Sequence, residues 1–476
     1  MNPSLSFPPD PTRRRFLRDC CAAVTATGLL SALTQLRLIG AVASPAAPDF
    51  KALVCLFLGG GNDANNVLIP SDPAGYQTYA AGRTVLALPS GALLPIAPRT
   101  GDGHNYALHP SLAADQNAAA GGLKALFDSG QLAFLANVGT LCVPTTRDQY
   151  LAQSVPLPPQ LFSHSDQQIE WQSSVPDRQF STGWGGRLAD LVNAFNSNNQ
   201  ISMAISLNGQ NAFQVGQTVT QYAISSAGAF PLNSADRAIT TSITDVRTAA
   251  MNDLLASPGN NLLDAAFSGL TARAIGDSTL LTSALAGGPS FATNFPSSDL
   301  GKQMQIIARL IGAAPALGLR RQIFFARVGG FDLHDNQVAP GNTSTGAHAA
   351  LLDDVSRSVK AFYDATAELG VANQVTTFTA SDFGRTFNTN GDGSDHGWGS
   401  HHFIVGGAVK GGDIYGRMPD FSLNGPDDAG RGRWIPTTSV DEYSATLATW
   451  FGVSATDLPV VLPNLGRFSR SNLGFL

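Results

Sequence analysis

Continuous runs of apolar and β-branched residues recur along the chain, and each run is long enough for one buried strand. The five clearest are LVCLFL at 53–58, LAFLANV at 132–138, QIFFARVGG at 322–330, QVTTFTA at 374–380 and HFIVGG at 402–407. Because these runs do not alternate regularly with charged residues, they predict strands that are covered on both faces.

Segments with helical spacing separate these strands. A helical pattern lies around Leu123 to Phe127, residues 164–173 follow a predicted N-cap at Ser163, and apolar positions recur at helical intervals from Leu351 to Tyr363. This order predicts an α/β fold with a mainly parallel central sheet and helices on both faces. Residues from about 195 to 300 are rich in Asn, Ser, Ala and Gly and have weak periodicity, so we expect an irregular insertion there.

The first 43 residues have the features of an export signal. Thr12-Arg13-Arg14-Arg15-Phe16-Leu17-Arg18 precedes an apolar stretch, and Ala41-Val42-Ala43 supplies small residues for cleavage. Polar residues interrupt the apolar stretch, which is shorter than the roughly 20 residues that a membrane span requires. We therefore expect twin-arginine export to the periplasm or the extracellular space. We also expect a mature domain of residues 44–476 with no stable membrane insertion after cleavage.

Charge and cysteine content narrow the classes of function. The chain has 29 Lys and Arg against 35 Asp and Glu, and the predicted signal removes more basic than acidic residues, so a broad basic surface for nucleic acid is not expected. Only Cys55 and Cys142 lie in the mature chain, which excludes a disulfide scaffold and favours two separate buried thiols over one bridge. Gly59-Gly60-Gly61 lacks the spacing of a dinucleotide-binding loop.

Four polar motifs adjoin the ends of predicted strands. Asp63 follows the first strand, Asp332 and His334 follow the third, Asp382 follows the fourth, and His396 precedes the fifth. The carboxyl ends of parallel strands share one edge of a sheet, so we expect these side chains to converge. Their mixed oxygen and nitrogen ligands favour a divalent ion, with zinc preferred and calcium, magnesium or manganese as alternatives. Such an ion can activate water or polarise an ester.

Further catalytic candidates lie beside these motifs. Ser163, at a predicted helix N-terminus, is either a nucleophile or an ordinary helix cap, and Thr145 and Thr146 are alternative nucleophiles. His164 is a candidate base, metal ligand or surface residue. Arg385 could clamp an anionic ester through two hydrogen bonds or form a structural ion pair.

The ordered set of motifs resembles a known family. The twin-arginine signal, LVCLFLGGGNDANNVLIP, FSHSDQQIEWQ, GWGGRL, GGFDLHDNQ, SDFGRT and DHGWGSHHFIVGGAVKGG are similar to the exported bacterial family catalogued as domain of unknown function 1501. The resemblance covers nearly the whole mature chain. Because that family is grouped with the alkaline phosphatase and sulfatase superfamily, the resemblance implies an alkaline-phosphatase-like fold and, more loosely, hydrolysis of phosphate or sulfate esters at a metal site.

The resemblance also implies a metal role for each candidate ligand. Asp63 matches the superfamily's first-strand carboxylate, Asp332 and His334 its aspartate and histidine pair, Asp382 the aspartate of its T-S-D-H-G segment, and His396 its last metal histidine. Phe383 stands where that segment has a metal histidine, and no sulfatase signature or phosphatase nucleophile follows Asp63. A single or asymmetric metal site is therefore expected.

Two functions from different classes follow. The leading hypothesis is an exported metal-dependent hydrolase of a phosphate, sulfate or related ester, acting on a small-molecule or polysaccharide substrate. The alternative is a non-catalytic exported binding or envelope-assembly protein that retains the superfamily scaffold, and Phe383 favours this second hypothesis.

Overall fold

The computed structural model describes residues 50–113, 121–197, 200–228, 243–256 and 261–476, so the predicted signal at residues 1–43 lies outside the described residues. The strands of the described residues are β1 (Lys51–Leu58), β2 (Leu68–Pro70), β3 (Leu94–Ile96), β4 (Tyr106–Leu108), β5 (Leu132–Gly139), β6 (Ala204–Ser206), β7 (Tyr222–Ala223), β8 (Arg321–Val328), β9 (Val375–Ser381), β10 (Arg385–Thr389), β11 (Ser394–His396), β12 (Ser400–Gly406), β13 (Asp413–Tyr415) and β14 (Thr438–Ser439).

The α-helices of the described residues separate most of these strands. They are α1 (Pro73–Arg83), α2 (Gly122–Asp128), α3 (Arg147–Ala152), α4 (His164–Ser173), α5 (Trp184–Val192), α6 (Ile243–Ala256), α7 (Leu262–Ala286), α8 (Asp299–Gly312), α9 (Ala347–Glu368), α10 (Val440–Phe451) and α11 (Leu458–Val461). Short 3-10 turns lie at Ala64–Asn66, Thr84–Leu86, Ser90–Ala92, Pro110–Ala113, Asn193–Phe195, Ala372–Gln374 and Leu465–Arg467.

A nine-stranded sheet lies at the centre of the described part of the chain. Its order is β13-β5-β12-β9-β1-β8-β6-β7, and β14 also pairs with β5. Strand β12 runs antiparallel to both β5 and β9, whereas the other pairs are parallel. The predicted α/β fold with a mainly parallel central sheet is confirmed. Because β12 is reversed, its first residues lie at the edge where the parallel strands end.

Helices and loops cover both faces of the central strands. Every side chain from Ala52 to Leu58 in β1 is buried, as is every side chain of β5, although neighbouring residues of a strand point to opposite faces. Helix α10 packs against β1 and β5, while α5 and α8 pack against β8. Cys55 and Cys142 are free and buried, as the sequence predicted.

The middle of the chain contributes both to the sheet and to a pair of helices that contact each other. Strands β6 and β7 extend the sheet beyond β8, inside the region that the sequence predicted to be irregular. These strands are only three and two residues long, too short for a periodic pattern to show them. Helices α6 and α7 then contact each other. Among the described residues, no helix combines the length and apolarity that a membrane crossing requires.

Candidate metal centre

Four chain segments meet at the carboxyl-terminal edge of the sheet. Asp332 follows β8, and Asp382 directly follows β9. His396 is the last residue of β11, where it pairs with Arg385 of β10 shortly before the start of reversed strand β12. His164 is the first residue of α4. The predicted convergence is thus observed for the motifs of Asp332, Asp382 and His396, and His164 joins them, whereas Asp63 does not.

The Nε2 atoms of three histidines and one carboxylate oxygen point to the same place. His396 Nε2 lies 3.1 Å from His164 Nε2 and 2.9 Å from His334 Nε2. Asp332 Oδ1 lies 3.4, 3.1 and 3.3 Å from the Nε2 atoms of His164, His334 and His396, respectively. A tetrahedral zinc ion with bonds of about 2.0–2.1 Å separates its ligand atoms by about 3.3 Å. The spacing of the His164, Asp332 and His396 atoms fits a single ion, and His334 lies at the rim of this group.

A hydrogen bond fixes the tautomer of each ring. Every ring directs its Nδ1 at an oxygen acceptor: His164 at Asp382 Oδ2 (2.6 Å), His396 at the Phe162 carbonyl oxygen (2.6 Å) and His334 at Asp395 Oδ1 (3.2 Å). Because these oxygens accept, they favour the neutral tautomer with its proton on Nδ1, which presents a lone pair at Nε2. The lone pairs face one another and the Asp332 carboxylate. Such a group of acceptors is mutually repulsive without a cation. Histidines that bind metals are oriented by the same kind of hydrogen bond from their other ring nitrogen to a carboxylate or carbonyl oxygen.

Asp382 lies behind His164, on the side of the ring away from Nε2. It is fully buried, and its Oδ1 accepts the Gly60 backbone N–H at 3.0 Å while its Oδ2 also accepts from Gln168 Nε2 at 2.7 Å. The hydrogen bond from His164 to Asp382 raises the pKa of His164. Asp382 therefore positions a ligand instead of contributing one to the cluster.

Arg385 holds the Asp332 carboxylate. Its Nη1 donates to Asp332 Oδ1 at 2.8 Å and to the Gly60 carbonyl at 3.2 Å, and its Nη2 donates to the Ser394 carbonyl. Burial acts to raise the pKa of Asp332, but the hydrogen bond and charge of Arg385 lower it overall. Since the guanidinium is buried and already bonded to protein oxygens, its contacts favour the structural ion pair over an ester clamp.

Two phenylalanines shape the surroundings of His396. Phe162 has a φ of +74°, a left-handed conformation that costs a non-glycine residue about 1–3 kcal/mol. In this conformation the carbonyl oxygen of Phe162 accepts the hydrogen bond from His396 Nδ1. The ring of Phe383 is buried, and its centroid lies 4.7 Å from the ring centroids of both His164 and His396. Burial lowers the pKa of His396, which favours the neutral imidazole that a metal requires.

Asp63 belongs to a separate buried network. Its Oδ2 accepts from Arg83 Nη2 and, at 2.6 Å, from Gln337 Nε2, while its Oδ1 accepts from Asn65 Nδ2 at 3.0 Å. Burial acts to raise the pKa of Asp63, but the charge of Arg83 and these hydrogen bonds lower it overall. Among the described residues, the group whose ligand atoms all lie within 4.8 Å of one another consists of His164, Asp332 and His396. The structure does not bring Asp63 into that group.

The hydroxyl groups of the candidate nucleophiles differ in their hydrogen-bond partners. Ser163 is the N-cap residue of α4, yet its side chain makes no capping bond, and its Oγ donates to Asp166 Oδ2 at 2.5 Å. Thr146 caps α3 in a capping box with Gln149, and Thr145 Oγ1 donates to a backbone carbonyl. Ser163 is therefore the candidate whose hydroxyl faces a carboxylate beside a cluster histidine.

Several supporting residues were missed by sequence reasoning. They are Gln168, which donates to Asp382, Asp395, which orients His334, and Arg83, which binds Asp63. The sequence could have indicated Asp395, because it directly precedes His396 in the same motif. No sequence feature indicated Arg83, because nothing in the α1 sequence points to a buried partner on another segment.

Comparisons with known proteins give one family and distant structural likenesses. A model of the family described as "Protein of unknown function (DUF1501)" matches residues 50–431. A search of curated proteins gives no match. Similar solved structures include Ps i-CgsB in complex with k-i-k-neocarrahexaose, with 10% identity and a TM-score of 0.35 over 87% of this chain and 77% of that chain. PsFucS1 sulfatase from Pseudoalteromonas sp. has 11% identity and a TM-score of 0.33 over 86% and 69%.

A third similar structure is wild-type alkaline phosphatase PafA. Its identity is 13% and its TM-score 0.27, over 72% of this chain and 64% of that chain. At these scores the likenesses assign no role to any residue here.

Proposed function

This chain belongs to the family described as "Protein of unknown function (DUF1501)", and we propose that it is an exported metal-dependent hydrolase of a phosphate, sulfate or related ester. The observation that carries the proposal is the convergence of three Nε2 lone pairs on the Asp332 carboxylate, with every ring held by an acceptor at Nδ1. A small-molecule ester or an esterified polysaccharide would be the substrate.

The donor set suits a divalent transition ion. His164, His396, Asp332 and, at the rim, His334 would hold it, and nitrogen with carboxylate oxygen is the ligand chemistry that zinc prefers. When bound, the ion would supply Lewis acidity toward an ester oxygen. The four ligand side chains are between 24% and 46% exposed, so a substrate can reach them from solvent. That access favours a catalytic site over a closed structural site.

Positive side chains around the cluster suit an anionic ester. Arg433 donates from Nε to the His396 carbonyl at 2.9 Å, and its guanidinium lies 4.4 Å from the centre of the Phe162 ring. Arg431, which is half exposed, forms an ion pair with Asp395 at 2.7 Å. Guanidinium groups that contact the backbone of His396 and the side chain of Asp395 would raise the local concentration of anionic substrates.

The attacking oxygen is either Ser163 Oγ or a water molecule. In the first route, Ser163 attacks the ester centre as its proton passes to Asp166, the bond from that centre to the alcohol oxygen breaks, and the departing alcohol takes the proton back from Asp166. Water then hydrolyses the seryl ester. Ser163→Ala distinguishes the two routes, because only serine attack requires the hydroxyl. Loss of a burst of released alcohol in this variant is expected if Ser163 is the nucleophile.

Metal content and turnover together test the proposal. We expect about one divalent ion per chain and hydrolysis of an aryl phosphate or aryl sulfate, with both lost in Asp332→Ala and His396→Ala. His104→Ala is a control, because this exposed histidine contacts Asp72 and lies outside the cluster. A folded protein that binds no metal in titration and hydrolyses neither ester would contradict the proposal.

A second candidate function is metal-dependent binding without hydrolysis. The packing of Phe383 against both His164 and His396 favours it, because the ring fills space beside two of the proposed ligands. Under this alternative the protein binds metal and an anion such as vanadate but turns over neither ester. Under the hydrolase proposal vanadate binds and inhibits turnover.

A further inference from the structure

A pocket outside the metal centre lies beyond the end of β5. It has a volume of about 470 Å³, within the range of about 300–1,000 Å³ that small-molecule sites occupy. Its walls come from the loop after β5, the start of α3, the segment before β14 and residues 468–470. Thr145 and Thr146, the alternative nucleophiles that the sequence suggested, line this pocket and not the metal cluster.

The charged side chains of the pocket cancel one another. Arg417 donates from Nη1 and Nη2 to the two oxygens of Asp427, each at 2.8 Å. Arg470 donates from Nε to Glu442 Oε1 at 3.0 Å. Because an anionic ligand would meet the two carboxylates and a cationic ligand the two guanidinium groups, a neutral polar ligand suits the pocket best.

Both ion pairs keep hydrogen-bonding capacity toward a ligand. A carboxylate offers about four acceptor positions and a guanidinium group five N–H donors. Among the described residues, Asp427 accepts two bonds from Arg417 and one from a backbone N–H. Glu442 accepts one bond from Arg470 and two from Ser439. A hydroxyl group donates and accepts at once, so it can bond to both members of such a pair.

The remaining walls add free polar groups and an apolar surface. Within the described part of the chain, neither Gln149 Nε2 nor Ser469 Oγ has a hydrogen-bond partner. Phe468 lines the pocket and packs against a buried cluster that includes Leu141 and Ile435, which also line it. A sugar ring has hydroxyl groups around its rim and C–H groups on its faces. The pocket offers partners for both, and apolar walls with a few placed polar groups are typical of ligand sites.

The pocket and the metal centre lie at the same edge of the sheet. Strands β5, β12 and β9 are successive neighbours, and neighbouring strands lie about 4.8 Å apart, so the end of β5 is roughly 10 Å from the end of β9. Asp382 directly follows β9. Phe162, whose carbonyl oxygen accepts from His396, packs against the same buried cluster as Phe468. An elongated ligand that extends past its ester group can therefore reach both sites.

We propose that this pocket binds a neutral sugar residue of an esterified polysaccharide whose ester group lies at the metal centre. The identification of the polysaccharide as a substrate rests on the proposed hydrolase, whereas sugar binding itself requires no hydrolysis. The capping box of Thr146 and Gln149 and the two ion pairs hold the walls in place before a ligand binds. Such preorganisation reduces the entropy that binding costs.

Binding of unesterified sugars tests the pocket separately from hydrolysis. The probes are neutral hexasaccharides of glucose, galactose, mannose and N-acetylglucosamine, titrated calorimetrically into the wild-type protein. At least one should bind with a Kd of about 1 mM or lower. Ser469→Trp should weaken that binding by about tenfold or more, because Ser469 is an exposed residue of the pocket and an indole ring would fill its space.

The matched control is Leu151→Trp, at a residue of α3 that is 55% exposed and does not line the pocket. It should leave sugar binding unchanged, and far-ultraviolet circular dichroism verifies that both variants fold. Failure of every hexasaccharide to bind the wild-type protein, or equal binding by the two tryptophan variants, would overturn the proposal.

Turnover of two esters separates the pocket from the metal centre. The sulfated or phosphorylated form of the hexasaccharide that binds is compared with an aryl sulfate or phosphate. Ser469→Trp should lower kcat/KM for the sugar ester by about tenfold and leave aryl ester turnover unchanged, because only the sugar ester extends into the pocket. Sugar binding without turnover of any ester would support the pocket and contradict the hydrolase. Ester turnover without sugar binding would overturn the pocket alone.

Discussion

Replacing Asp382 by Asn would test whether the tautomer of His164 makes the cluster a metal site. In the wild-type protein, Asp382 Oδ1 accepts the Gly60 N–H, and Oδ2 accepts from His164 Nδ1 at 2.6 Å and from Gln168 Nε2 at 2.7 Å. Asn offers one carbonyl oxygen in place of two carboxylate oxygens. If that oxygen keeps the bond from Gly60, the new NH₂ group faces two donors.

The size of the effect follows from this geometry. His164 can accept from the new NH₂ group only by moving its proton from Nδ1 to Nε2, and Nε2 then presents no lone pair to an ion. Loss of such an outer partner typically weakens metal binding by about 10–100-fold, or about 1.4–2.7 kcal/mol. Because Asp382 is fully buried, the new NH₂ group without an acceptor at this position also lowers the free energy of unfolding by about 1–3 kcal/mol.

A competition titration of Zn²⁺ against a chromophoric chelator measures the change in affinity. The matched control is Asp395→Asn, because Asp395 contacts His334 in the same way but at 3.2 Å, with a side chain that is 24% exposed. Water can replace that acceptor, so we expect a loss of about threefold or less. Unchanged zinc affinity in folded Asp382→Asn, or a larger loss in the control, would refute this reasoning.

Three further predictions concern the framework around the site. Burial raises the pKa of Glu170 from 4.5 to about 8, so between these pH values the folded state keeps a proton that the unfolded state releases. The free energy of unfolding should therefore fall with rising pH by about 1.4 kcal/mol per pH unit. Glu170→Gln should abolish this part of the slope in denaturant titrations at pH 5 and pH 8. Gly60→Ala should destabilise the fold and abolish metal binding, because φ is +114° and a Cβ would lie 2.4 Å from the backbone nitrogen of Asp332. The control is Gly91→Ala, whose Cβ would meet nothing within 4 Å and which should leave thermal melting and zinc affinity nearly unchanged. Arg83→Met leaves the Asp63 carboxyl group buried without its ion-pair partner and should lower the free energy of unfolding by about 3–5 kcal/mol, with a smaller loss when Asp63→Asn is added; an additive double variant would contradict this coupling.

The main strands and the convergence at their ends were predictable from the sequence. Apolar runs long enough for one strand identified β1, β5, β8, β9 and β12, because a covered parallel sheet buries both faces of each strand. Polar residues directly after such runs then shared one edge. Asp332, His334 and His396 meet there as expected, although their role as metal ligands stays a prediction.

Side-chain direction was not predictable from the same pattern. Asp63 and Asp382 follow strands just as Asp332 does, yet the structure turns Asp63 toward Arg83 and places Asp382 behind His164. A loop that is longer or shorter by one residue can point a carboxylate in a different direction, and the pattern of hydrophobic residues does not contain that information. The role of His164 stayed open for a similar reason, since a residue at a helix N-terminus can face solvent or the sheet edge.

The reversed direction of β12 has a consequence for how this site can change. The chain leaves β9 and enters β12 at the same edge, so the excursion between them carries Asp382, Arg385, Asp395 and His396 without crossing the sheet. Parallel neighbours would need a long crossover that packs on a face of the sheet. Changes at the exposed turn of this excursion, residues 390–392, therefore leave the pairing of β9 with β12 in register. Evolution, or a protein engineer, can remodel this turn while Phe387 and Trp398 of the same excursion keep their places in the core.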